Sequence, residues 1–143
     1  MTSESGATPD IRAILDRSAL QSYARGHVHV GEVLGEVTAE MDTVIGIPAA
    51  ALSAAHAAHL DDKDARGLLR LVASLPSTTV LVLDQQAAED VAGALVVTDG
   101  DLSLAQGVWA ANDLGALYLT AEPDEVRALV PADNILTIPR DDA

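Results

Sequence analysis

Three carboxylates stand where the chain passes from an apolar run into a turn or a helix-like segment. Asp16 lies in Ile14-Leu15-Asp16-Arg17-Ser18-Ala19-Leu20. Asp101 precedes Leu102-Ser103-Leu104-Ala105-Gln106-Gly107, and Glu122 lies in Leu119-Thr120-Ala121-Glu122-Pro123. Carboxylate oxygens are the ligands that hard divalent cations take. In an open parallel sheet the carboxyl ends of the strands open into one crevice, where ligands bind. Acids delivered there from distant parts of the chain would form an acidic pocket for such a cation. Each acid also has a simpler use: Asp16 and Asp101 as helix caps, Glu122 beside a turn at Pro123. Their joint placement is what points to a site.

The elements that must position these acids alternate between short β-like runs and longer helical patterns. Strands are expected at Ile11 to Leu15, Thr43 to Ile47 (closed by Pro48), Thr78 to Leu83, Ala116 to Thr120 and Ile135 to Ile138. Helices are expected over Ser18 to Arg25, stopped by Gly26, and Val28 to Met41, with Val30, Val33, Leu34 and Val37 near helical spacing. An Ala-rich helix runs from Ala49 to Leu60, and Leu68, Leu69, Leu71 and Val72 continue in helical fashion after an acidic turn. Gln85 to Val97 and Asp101 to Leu114 follow, the latter with Gly115 as a C-cap signal, and Asp124 to Leu129 is a short last helix. Near-continuous apolar strands alternating with helices predict a buried, central parallel sheet flanked by helices, a single α/β domain. Residues 1–9 are read as a flexible N-terminal tail and 10–143 as the domain.

At 143 residues, with 49% hydrophobic residues, the chain is long enough for one well-filled core. Aromatics are only 2%, with no Phe, so Leu, Val, Ile and Ala must build that core. Apolar stretches fall short of a membrane span, and the N-terminus has no secretion-signal pattern. The absence of Cys rules out disulfide and thiol chemistry and fits a cytoplasmic protein. The net charge of -14 argues against non-specific nucleic-acid binding and suits cations or a basic partner. Solubility is its simplest consequence.

The run around Asp16 resembles the opening strand of the PIN-domain family, whose best-known members are the VapC-type toxin ribonucleases. The segment from Asp101 to Gly107 is similar to that family's acid-bearing helix start, and Leu119 to Pro123 to its closing motif. The order of elements agrees from about Ile11 to Ile138. The resemblance implies a PIN-like fold and a metal-dependent ribonuclease, a hydrolase of toxin-antitoxin type using Mg²⁺ or Mn²⁺. Asp16, Asp101 and Glu122 would be its metal-ligating and catalytic acids, and the Ser18 and Thr120 hydroxyls would position Asp16 and the closing turn. RNA would be the substrate, and an antitoxin protein and a second copy in a homodimer the partners. Two departures stand out. The family carries a Glu on the helix after the second strand, where this chain has Ala54, and the final acid is Glu122 rather than Asp. The alternative is therefore a catalytically inactive PIN-like module that binds a protein partner.

Other candidates carry less. His56 and His59 are spaced i,i+3, and His27 and His29 alternate, without the His-Glu-x-x-His pattern of a zinc site. Trp109, Tyr23 and Tyr118 read as packing residues, and Arg17 as a phosphate contact or the partner of a nearby acid. No glycine-rich phosphate loop occurs, and Lys63 is the only lysine, which opposes nucleotide-binding and receiver-type readings.

Overall fold

Four helices begin on an aspartate whose side chain accepts a hydrogen bond from the backbone three residues on: Asp16 from Ala19, Asp62 from Ala65, Asp84 from Ala87 and Asp101 from Leu104. An Asp at this position satisfies one of the amide groups that a helix start leaves without an internal partner. Part of the chain's acidity is thus spent on helix starts. In the computed structural model, which describes residues 10–37, 39 and 43–138, the helices are α1 (Arg17–Ala24), α2 (Val28–Val37), α3 (Ala49–Ala58), α4 (Lys63–Ala73), α5 (Gln85–Val97) and α6 (Leu102–Leu114). Gly115 closes α6 in the left-handed conformation at φ 63°, where a side chain would be strained.

The strands are β1 (Asp10–Leu15), β2 (Thr43–Pro48), β3 (Thr78–Leu81), β4 (Leu117–Thr120) and β5 (Ile135–Thr137). They form one sheet in the order β3-β2-β1-β4-β5, parallel at every pairing. The expected α/β domain with a central parallel sheet between helices is what the chain adopts. The sequence moves outward from β1 to β3 and then returns to place β4 on the other side of β1. The crevice at the carboxyl ends of β1 and β4 is therefore the topological switch point.

Alternation along each strand divides the core in two. On one side Leu15, Leu20, Ile45, Ile47, Leu69 and Leu119 pack with α1 to α4. On the other, Ile14, Val108, Tyr118, Val126 and Val130 pack with α6. Neighbours Ile14 and Leu15, like Tyr118 and Leu119, serve opposite faces. Gly46 in β2 keeps the sheet closed on the α6 side, because a Cβ there would meet side-chain atoms of Ile14 and Leu81 at 3.1 Å.

Boundaries shift by one or two residues at several elements and differ more at three places. β3 ends at Leu81 because Val82 and Leu83 have no strand beside them and lead into the Asp84 cap. Asp124 to Leu129 forms a single 3-10 turn at Pro123–Glu125 followed by turns. Pro123 sets that turn, and Val126 and Val130 are buried from it without a full helical period. Of the helix expected to reach Met41, Val28–Val37 is helical among the described residues, and Ala39 lies in a turn. Its predicted continuation lies largely outside the described residues, as do the expected tail 1–9 and residues 139–143. Among the described residues no helix is long and apolar enough to cross a membrane.

Candidate functional site

β1 and β4 run side by side, Leu15 opposite Leu119, and the Asp16 amide donates to the Leu119 carbonyl at 3.1 Å. This pairing places Asp16 and Thr120 together at the carboxyl end of the sheet. Asp16 is buried, 6% exposed, and its Oδ1 accepts from the Ser18 hydroxyl at 2.7 Å and the Ala19 amide at 2.9 Å. Ser18 Oγ in turn accepts from the Ala121 amide at 2.8 Å and stands 3.1 Å from Thr120 Oγ1. Thr120 Oγ1 accepts from the Glu122 amide at 2.9 Å. A continuous set of hydrogen bonds thus joins the loop after β1 to the loop after β4. The Ser18 hydroxyl thereby holds Asp16, and the Ser18 and Thr120 hydroxyls together hold the turn after β4.

Burial raises the Asp16 carboxyl above its ordinary range. Hydrogen bonds from Thr120, Ser18 and Ala19 favour the charged form and oppose that rise without cancelling it. Tyr118 lies below, fully buried on the α6 face. Its ring fits against Gly107, where a Cβ would come within 3.2 Å of Tyr118 Cε2. The Tyr118 hydroxyl is buried beside the Asp16 carboxyl, to which it makes no hydrogen bond of full geometry. Burial pushes its pKa well up, and the nearby Asp16 charge adds to the rise.

Asp101 reaches the same end of the sheet from the start of α6. One of its oxygens caps Leu104 at 3.1 Å, and the other faces Arg17 Nη1 at 3.7 Å. The second Arg17 amino group faces Glu125 Oε2, also at 3.7 Å. Burial raises the Glu125 carboxyl; Arg17 opposes the rise, while Asp16, Glu122 and Asp101 reinforce it. Asp16, Glu122 and Asp101 each disfavour the charged form of Glu125 from this end of the sheet. Arg17 pairs with acids, one of the two uses foreseen for it. Glu125 was not foreseen; the acid run Glu122-Pro123-Asp124-Glu125 just past β4 was the available signal.

The helix carboxylate implied by the resemblance has no replacement on α3. Ala54 lines a cleft of about 490 Å³ beside Arg17, Ser53, Asp101 and Ser103. A methyl group therefore faces this cleft. Gln106, also unforeseen, braces this end of the sheet. Its Oε1 accepts from the Ala50 amide and its Nε2 donates to the Leu81 carbonyl, each at 2.9 Å.

As arranged, the donor set does not fit a divalent cation. Among the described residues no three His, Cys, Asp or Glu side chains gather closely enough to hold one. Asp16 Oδ1 is engaged internally, Asp101 divides its oxygens between a helix cap and Arg17, and an arginine occupies the cationic role between Asp101 and Glu125. Two of the histidines are engaged elsewhere. His56 Nδ1 accepts from Arg66 Nε at 3.2 Å, with its pKa lowered by burial and then by Arg66 and Arg70, and His27 Nδ1 stands 3.2 Å from Ser22 Oγ. No protein-family model matches this sequence, and no curated protein matches it.

Proposed function

We propose that this chain is a PIN-like domain acting as a protein-interaction module, with its acid cluster neutralised from within. The observation that carries this reading is the position of the Arg17 guanidinium between Asp101 and Glu125. Ala54, facing the cleft where a carboxylate would complete the set, supports it. A net charge of -14 favours a basic protein surface as the partner. The cytoplasm, where a chain without Cys needs no oxidising environment, is the compartment we assign.

A metal-dependent ribonuclease of toxin-antitoxin type, weakened by loss of one carboxylate, is the second reading. It is supported by the effect of Asp16, Glu122 and Asp101 on the Glu125 carboxyl near the switch point. Its RNA substrate, antitoxin, homodimer and Mg²⁺ or Mn²⁺ belong to that reading alone.

Cleavage of single-stranded RNA with Mn²⁺ present separates the two, using wild type, Asp16→Asn and Ala54→Glu. The interaction-module reading predicts equal, background-level cleavage by wild type and Asp16→Asn. Wild-type cleavage that Asp16→Asn abolishes and Ala54→Glu increases would establish the ribonuclease instead.

A further inference from the structure

A cavity of about 280 Å³ lies between α5, α6 and the sheet, away from the acid cluster. This is near the lower bound of the roughly 300–1,000 Å³ typical of small-molecule sites. Its walls are apolar: Ile11 and Leu81 from the sheet, Val82 and Leu114 at exposed positions, Val91 from α5 and the half-buried Trp109 from α6. Gln106 also lines it, yet both ends of its amide are committed to the backbone of Ala50 and Leu81. Gln106 therefore has no geometry to spare for orienting a guest. The one charged side chain in the lining is Asp113, exposed on the last turn of α6, one turn beyond Trp109.

We propose that this cavity binds a small apolar amine, its hydrocarbon part between Val91 and Trp109 and its ammonium group on Asp113. The apolar walls supply the driving force for burying the hydrocarbon. The ammonium would meet a carboxylate and the face of an indole, both of which select for positive charge. An anionic amphiphile would face Asp113 directly and the field of a chain with net charge -14. A neutral alcohol would gain the apolar contact alone. This inference is independent of the role assigned to Arg17 and the acid cluster.

Trp109 is the only tryptophan, so its fluorescence reports on the cavity without a label. Hexylamine, hexanol and hexanoate, of similar length and different charge, are titrated at fixed ionic strength. Hexylamine is expected to give a saturable change in emission with affinity about tenfold above hexanol, the combined effect of a surface ion pair and a cation–π contact. Hexanoate is expected to bind more weakly than hexanol. Asp113→Asn, at an exposed position, should bring hexylamine to the level of hexanol. Ala87→Leu, which fills the cavity from α5, should remove binding of both while circular dichroism stays native. The proposal is overturned by the absence of a saturable response to hexylamine, or by equal affinity for all three compounds. It is equally overturned if Trp109 emission depends on protein concentration without ligand, because a second copy would then cover this face.

Discussion

The helices α1 and α5 meet the same sheet with very different commitment. Five of the eight residues of α1 are buried, and its Asp16 cap is tied by Ser18 to the loop after β4. Only Val91 of the thirteen residues in α5 is buried. Val96 and Val97, on the same helix, are 77% and 62% exposed. Both helices start from an Asp cap, so the contrast does not come from helix initiation. It comes from what each helix packs against: α1 contacts α2, α3, α4 and β4, whereas α5 rests chiefly on α6. The switch-point end of the protein is consequently held by several elements, and the α5 side is held by one.

The largest test of this contrast removes volume from each side. Leu69→Ala, on α4 in the core that α1 also packs into, should cost about 3–4 kcal/mol in chemical denaturation. Val91→Ala should cost about 1–2 kcal/mol, because fewer groups pack around it. Amide hydrogen exchange should show α5 opening well before α1. Equal protection of the two helices would remove the contrast.

Two helix-interior glycines test it at smaller scale. Gly107→Ala on α6 places a Cβ 3.2 Å from the Tyr118 ring, so a loss of about 1–3 kcal/mol is expected. At Gly93 on α5 a Cβ meets nothing within 4 Å, and Gly93→Ala should stabilise by about 0.5–1 kcal/mol through helix propensity. Thermal melts of the two variants should move in opposite directions.

Most of the architecture was readable in the sequence because parallel strands buried on both faces leave uninterrupted apolar runs, as in Thr43–Pro48. The helix expected over Gln85 to Val97 forms with those bounds, capped by Asp84 in the structure. The segment after Pro123 was not. Val126 and Val130 have helical spacing, yet they are buried from successive turns. At the site, strand-end position accounts for Asp16, whose amide pairs with the Leu119 carbonyl, and helix-start position for Asp101, which caps α6. The pairing of Arg17 with Glu125 depends on a side chain crossing between loops more than a hundred residues apart, and no local pattern encodes it. The same holds for Gln106, whose apolar helical neighbours give no sign of its bonds to α3 and β3.

The smallest expected effect is a slope with pH. Because burial raises the Asp16 carboxyl, the folded state holds its proton to higher pH than the unfolded chain does. That contribution favours folding below the ordinary value near 3.8 and is lost as pH rises through the raised value. Glu125 is raised too and contributes in the same direction, discounted by its exposure. Asp16→Asn keeps an acceptor for Ala19 and should flatten this loss in urea titrations begun at pH 4 and carried upward. A wild-type slope unchanged by Asp16→Asn would show that the buried carboxyl is not its source.

The central claim is that Arg17 fills the cationic role within the acid cluster. Its most direct test is the thermal midpoint during Mn²⁺ titration at constant ionic strength, in wild type, Arg17→Gln and the double variant Arg17→Gln/Asp101→Asn. The account predicts no saturable rise in wild type, a saturable rise once Arg17 is gone, and its loss again when Asp101 is neutralised. A saturable rise in wild type that Asp101→Asn abolishes would contradict it.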